Sequence, residues 1–173
     1  MGTVEPIDEV GRRMVTSATA SYIARGRELF DGSFITIPVL FDLTGRTAGM
    51  YRVTRERRVI RYNPYIFATA FAQALMTTVP HEVAHYVVDM VYGSHNVHPH
   101  GAEWRAVMTA FGVPPRRTHT YDLAGVPVRT QRRHPYGCGC TTYQLTTRRH
   151  NQIQRSVRRY YCRRCGRELA PAD

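Results

Sequence analysis

The sequence predicts an α+β fold, with helices packed on a small antiparallel sheet and a small cysteine-stapled module after it. Three observations carry this. Residues 4–30 and 78–90 repeat apolar side chains at helical spacing, residues 35–43 alternate at spacing two, and all four cysteines fall within residues 129–173. A chain of 173 residues is long enough for one sizeable core and an appendage. The expected boundaries are 1–128 for the α+β domain and 136–170 for the module.

Residues 4–30 are rich in Ala, Arg and Glu, and Val10, Met14, Ala18, Tyr22 and Leu29 form the expected apolar side of an opening helix. Asp31-Gly32 ends it. Ile35, Ile37, Val39, Phe41 and Leu43 alternate as a strand should. Pro38 has no N–H to donate, so this strand belongs at a sheet edge or carries a bulge. Thr44-Gly45 turns the chain into AGMYRV, and the Arg55–Arg57 region turns it again into VIRYN, completing an antiparallel sheet. Asn63 caps the next helix and Pro64 occupies its first turn. Pro80 either separates that helix from the one bearing His81 or kinks a single helix. Gly93 stops the helix after Tyr92, the polar loop SHNVHPHG follows, and GAEWRAVMTAF forms a short helix ended by Gly112 and Pro114.

Within TVPHEVAHYVVDM, at about 100° per residue, His81, Glu82, His85 and Asp89 fall on one narrow stripe. Val79, Val83, Ala84, Val87, Val88 and Met90 fill the rest of the circumference, so the helix is buried. Buried charges need partners or a metal. Histidines four apart on a helix can bind one Zn²⁺, and the adjoining Glu82 then lies beside the ion, placed to take a proton from water. Zinc lowers the pKa of such a water from about 15.7 to near 7. Two satisfied core histidines are the plainer alternative. A third ligand has four candidates on spacing alone: His95, His98, His100 and Glu103. Trp104 reads as a core residue in preference to a substrate platform; His119 and Tyr121 read as structural or as oxyanion-stabilising residues; Asp89 reads as a partner of His85 or an ordinary helix acid.

The chain has 24 Arg, no Lys and 13 acids, a formal charge of +11. Residues 1–128 hold 13 Arg against 11 acids, whereas residues 129–173 hold 11 Arg against 2. A polyanion is the natural partner of that tail, because the planar guanidinium fork grips phosphate through two bonds. Arg148, Arg149, Arg158, Arg159, Arg163 and Arg164 interleave there with Tyr143 and Tyr160, a composition suited to single-stranded DNA without sequence preference: charge follows the backbone and rings stack on bases. No run of apolar residues is long enough to span a membrane, and MGTVEPIDEV lacks the basic and apolar regions of a secretory signal, so a cytoplasmic location is expected. In that compartment Cys138-x-Cys140 and Cys162-x-x-Cys165 favour a second, structural Zn²⁺ over disulfides, with His134 or His150 as possible substitutes for a cysteine.

VPHEVAH, followed by HGAEW and then GVPPRRTHTYDL, resembles the SprT family, which includes bacterial SprT proteins and the eukaryotic protease Spartan. FDLTGRTAGMYRV and IRYNP resemble its sheet segment, and GCGCTTYQLTTRRHNQIQRSVRRYYCRRCGREL resembles the zinc ribbon of the bacterial members. The resemblance covers residues 34–170. It implies a zincin-like metallopeptidase domain followed by a Cys₄ zinc ribbon, with His81, His85 and His100 holding a catalytic zinc and Glu82 as the base. It also implies protein substrates associated with DNA, cross-linked to it in the case of Spartan. The alternative from another class is a non-catalytic nucleic-acid-binding zinc protein or regulator.

Overall fold

Asp8 accepts a hydrogen bond from the Gly11 N–H and so opens α1, Glu9–Phe30. The structure, a computed structural model, describes residues 4–32, 34–55, 57–128 and 132–172. The buried stripe of α1 is Gly11, Val15, Thr19, Ile23 and Gly26. That is one residue round from the expected face, and Val10 and Met14 are half exposed. The glycines explain the choice. A Cβ on Gly26 would lie 2.8 Å from Val87 Cγ2, so the bare face lets α1 approach its neighbour most closely.

The alternating segment 35–43 forms a strand only at β1, Val39–Leu40. Ile35 is 70% exposed, while Phe34 and Ile37 are buried. Their burial, together with the Tyr86 hydroxyl donating to the Ile35 carbonyl, anchors an irregular stretch where a regular strand was expected. β2 (Gly49–Val53) and β3 (Arg58–Tyr62) pair antiparallel, but β1 runs parallel to β3, so the sheet is mixed rather than antiparallel. Its order is β1-β3-β2. Pro38 does sit at an edge, offering its carbonyl to Ile60 N–H.

Asn63 caps α2 (Pro64–Thr69) by accepting from Tyr65 and Ile66 N–H. The chain then breaks at Ala70, and α3, Phe71–Tyr92, runs as one helix through Pro80. Val79, Val83, Ala84, Tyr86 and Val87 are fully buried against α1 and the sheet. Gly93 (φ 76°) ends α3, and α4, Ala102–Ala110, packs Trp104, Val107 and Met108 back onto it.

The chain divides into two compact units, residues 1–128 and 129–173. In the second, β4 (Arg133–Gly137) lies between β5 (Thr142–Thr146) and β6 (Ala170–Pro171), and α5 (Thr147–Gln154) follows β5. Its core is small: Tyr136, Cys138, Leu145, Cys162 and Leu169. Among the described residues no helix is long and apolar enough to cross a membrane.

Candidate metal centres and active site

One helical turn separates His81 from His85 on α3, and their Nε2 atoms lie 3.3 Å apart. The loop after Gly93 returns His100 to the same point, with its Nε2 3.1 Å from that of His85 and 3.0 Å from that of His81. A tetrahedral zinc with bonds of about 2.0–2.1 Å spaces its nitrogens about 3.3–3.4 Å apart, so the triangle fits such an ion and leaves one position open. Of the four candidates for third ligand, the structure brings His100 into the group. His95 and His98 are exposed on the loop, and Glu103 is half-buried in the first turn of α4 without joining the cluster.

Trp104 is completely buried and packs against all three imidazoles, with ring centroids 4.7 Å from His81, 5.7 Å from His85 and 4.7 Å from His100. Its indole N–H donates to the His81 carbonyl at 3.3 Å. Burial pushes the imidazole pKa values down, to about 4 at His81 and about 3 at His85. His100 is lowered by burial and by the charge of Arg117. All three rings are therefore neutral at pH 7, the form that ligates a metal.

Glu82 is buried, and its Oε2 accepts a 2.7 Å hydrogen bond from the Tyr51 backbone N–H on β2. Burial raises its pKa to about 8, with the Tyr51 N–H pulling in the opposite direction. A divalent cation beside it would favour the carboxylate. Asp89, the last member of the stripe, is buried, and its hydrogen bonds go to residues other than His85. Its carboxylate accepts from Arg58 Nε at 2.6 Å, Tyr51 Oη at 2.8 Å and Ser94 N at 3.0 Å. Burial alone would raise its pKa, but these bonds outweigh it and hold the carboxyl below its ordinary value.

A groove of about 850 Å³ opens on His81 and Glu82, bordered by Gly49, Thr78 and the segment from Pro114 to Ala124. His119 and Tyr121 both line it, but their polar atoms are engaged. His119 Nε2 lies 2.9 Å from the Arg46 carbonyl, and Tyr121 Oη is 2.6 Å and 2.7 Å from the Thr77 and Thr78 hydroxyls. Gly49 and Tyr51, the two β2 residues nearest Glu82, were not singled out from the sequence. They stand about thirty residues before Glu82, and no local pattern marks them.

In the second unit the Sγ atoms of Cys138, Cys140, Cys162 and Cys165 lie within 4.8 Å of one another. All four are free thiols. Close pairs stand 3.1–3.6 Å apart, near the ~3.8 Å that tetrahedral Zn–S bonds of about 2.3 Å require. Gly139 (φ 85°) and Gly166 (φ 71°) provide the left-handed turns of the two knuckles. His134 and His150 stack on each other at 3.8 Å instead of joining the cluster. Arg148, Arg149, Arg158, Arg159, Arg163 and Arg164 are all exposed. Tyr143 and Tyr160 are half-buried: Tyr143 Oη lies 3.3 Å from Cys162 Sγ, and Tyr160 donates to Gln152 at 2.6 Å. The exposed ring is that of Tyr161.

Among relatives, a Protein SprT of Vibrio parahaemolyticus is 36% identical over 148 residues, 85% of this chain and 86% of that protein. A Protein SprT of Klebsiella pneumoniae is 34% identical over 156 residues, 90% of each chain, and one of Erwinia tasmaniensis is 41% identical over 115 residues, 66% of this chain and 65% of that one. No solved structure matches. Residues 20–132, which include the three clustered histidines, Glu82 and the sheet that touches it, match the SprT-like family. With that match and relatives aligned over most of its length, the chain belongs to the SprT-like family.

Proposed function

We propose that this chain is a zinc-dependent metallopeptidase of zincin-like fold acting on proteins associated with DNA. The observation that carries the reading is the triangle of His81, His85 and His100 Nε2 atoms beside a groove that His81 and the buried Glu82 help to line. A zinc ion held by that triangle would supply Lewis-acid chemistry, polarising a scissile carbonyl and acidifying water. Glu82, fixed beside the triangle, takes the proton of the attacking water and later passes it to the leaving amine. β2 has no strand on its outer side among the described residues, so an extended peptide can add there and present its backbone along the groove. Tyr51 N–H keeps the base aimed, and Trp104 holds the imidazole cluster from behind.

The four cysteines take a structural zinc, which gives the small second unit the stability its few core residues do not provide. Its exposed arginines bind single-stranded DNA without sequence preference and keep the peptidase near DNA-associated or DNA-cross-linked substrates. The test is cleavage of a basic DNA-binding protein by zinc-loaded chain, with and without single-stranded DNA, beside Glu82→Gln. The expected outcome is zinc-dependent cleavage, stronger with DNA, and a loss of about 10²–10⁴-fold in the variant with metal content unchanged. Equal cleavage by Glu82→Gln would overturn the mechanism. Absence of cleavage by a folded, zinc-loaded sample that still binds DNA would favour a nucleic-acid-binding regulator.

A further inference from the structure

The groove beside Glu82 is bordered by cations. Arg46, on the connection into β2, and Arg116 and Arg117, on the segment after α4, all line it and are all exposed. Among the described residues none of the three takes part in a salt bridge. The one other acid on the groove, Asp122, turns one carboxylate oxygen onto the Ala124 N–H. Three free guanidinium groups thus face one acid, next to a buried carboxylate that the proposed chemistry already uses.

We propose that this groove is a subsite for acidic side chains, so that the chain cuts peptides carrying Asp or Glu within a few residues of the scissile bond. The proposal rests on the peptidase reading above and adds to it the class of segment that is cut. A carboxylate entering the groove meets planar forks that accept it through two bonds, on side chains able to reach a range of positions. A Lys or Arg there meets three guanidinium groups against the single exposed carboxylate of Asp122. Peptide fits better than nucleic acid. Bases bind by stacking on exposed rings, and the aromatic rings of the groove are spoken for: Tyr121 is buried, and His119 stacks on it at 4.5 Å. The groove also adjoins Gly49, at the start of a strand edge whose backbone can pair with an extended chain. Basic DNA-binding proteins would then be cut in their acidic or neutral segments, and the arginine-rich tail of this chain would be a poor substrate for its own active site.

The experiment uses the full zinc-loaded chain and a set of matched peptides that differ only in carrying Glu, Gln or Arg at each position flanking one cleavable bond. Cleavage rate and binding, by fluorescence anisotropy, are both measured, for wild type and for Arg116→Gln/Arg117→Gln. Expected for wild type is the order Glu, Gln, Arg, with kcat/KM about two- to fivefold higher for the best Glu peptide than for its Gln partner, a preference that shrinks as salt rises. The double variant should bring the Glu-to-Gln ratio toward one. No order among the peptides, or a preference for Arg, overturns the subsite. So does an oligonucleotide that displaces the Gln peptide from wild type and fails to displace it from the double variant, because it assigns the groove to nucleic acid. If no peptide is cut, the peptidase reading fails by itself, and the anisotropy order still decides whether the groove selects carboxylates.

Discussion

The backbone N–H of Tyr51 on β2 donates to Oε2 of Glu82 on α3 at 2.7 Å. Two residues earlier on the same strand, a Cβ added to Gly49 would stand 2.7 Å from Glu82 Cγ and 2.8 Å from its Oε1. One position gives a donor and the other gives room, and together they fix where the carboxylate sits.

Gly49→Ala should therefore displace Glu82 without touching a metal ligand. An error of about 1 Å in a reacting group can cost on the order of 10²-fold in rate. The expected result is a 10- to 100-fold loss of kcat with zinc content unchanged, and a modest loss of thermal stability because the same Cβ would stand 2.8 Å from Thr78 Cγ2. Wild-type kcat in a folded variant would show that the strand does not position the base.

Asp89 joins α3 to the sheet through Arg58 and Tyr51, and to the following loop through Ser94. Its folded pKa lies below the ordinary value, so the stability it contributes is fully present above the unfolded pKa of about 3.9 and is lost as pH falls through the lower folded value. Asp89→Asn should cost about 1–3 kcal/mol at pH 7. Urea unfolding of both proteins should show that gap shrinking near pH 3. A gap independent of pH would mean the carboxylate acts through its shape and not its charge.

The two candidate metal centres should respond differently to chelation. The histidine cluster rests on a core of more than twenty buried residues, whereas the cysteine cluster is surrounded by three other buried side chains, Tyr136, Leu145 and Leu169. A strong chelator should open residues 132–172 to proteolytic nicking while residues 4–128 stay protected. Simultaneous digestion of both units would contradict this.

Trp104 is the single tryptophan of the chain and lies against all three clustered imidazoles. Co²⁺ added to metal-free protein should therefore quench its fluorescence, and His85→Ala should abolish most of that quenching. Undiminished quenching in the variant would place the ion elsewhere.

The stripe of His81, Glu82 and His85 was legible because helix geometry alone places residues four apart on one face. His100 was legible only through the family resemblance, since spacing left three rivals standing. What Glu82 and Asp89 touch was not legible, because Tyr51 and Arg58 reach them through the sheet from about thirty residues away in sequence. The alternation from Ile35 to Leu43 misled for a related reason. Ile37 and Leu43 are buried as the alternation predicts, but Ile35 is exposed, Phe34 is buried in its place against Tyr86 of α3, and regular strand pairing is confined to Val39 and Leu40. The apolar face of α1 shifted because close approach to α3 selected Gly11 and Gly26, which carry no hydrophobic signal.

His100 holds its backbone at φ 58°, a left-handed conformation that costs a residue with a side chain about 1–3 kcal/mol. Its two companions ride on a helix fastened just before them, by the Tyr121 hydroxyl on Thr77 and Thr78, and just after them, at Asp89. The cluster is thus a clasp with two fixed jaws and one sprung arm. Were an ion held there, His100 would be the ligand whose release relieves backbone strain, so a change of its torsion would be the first expected step in losing the metal.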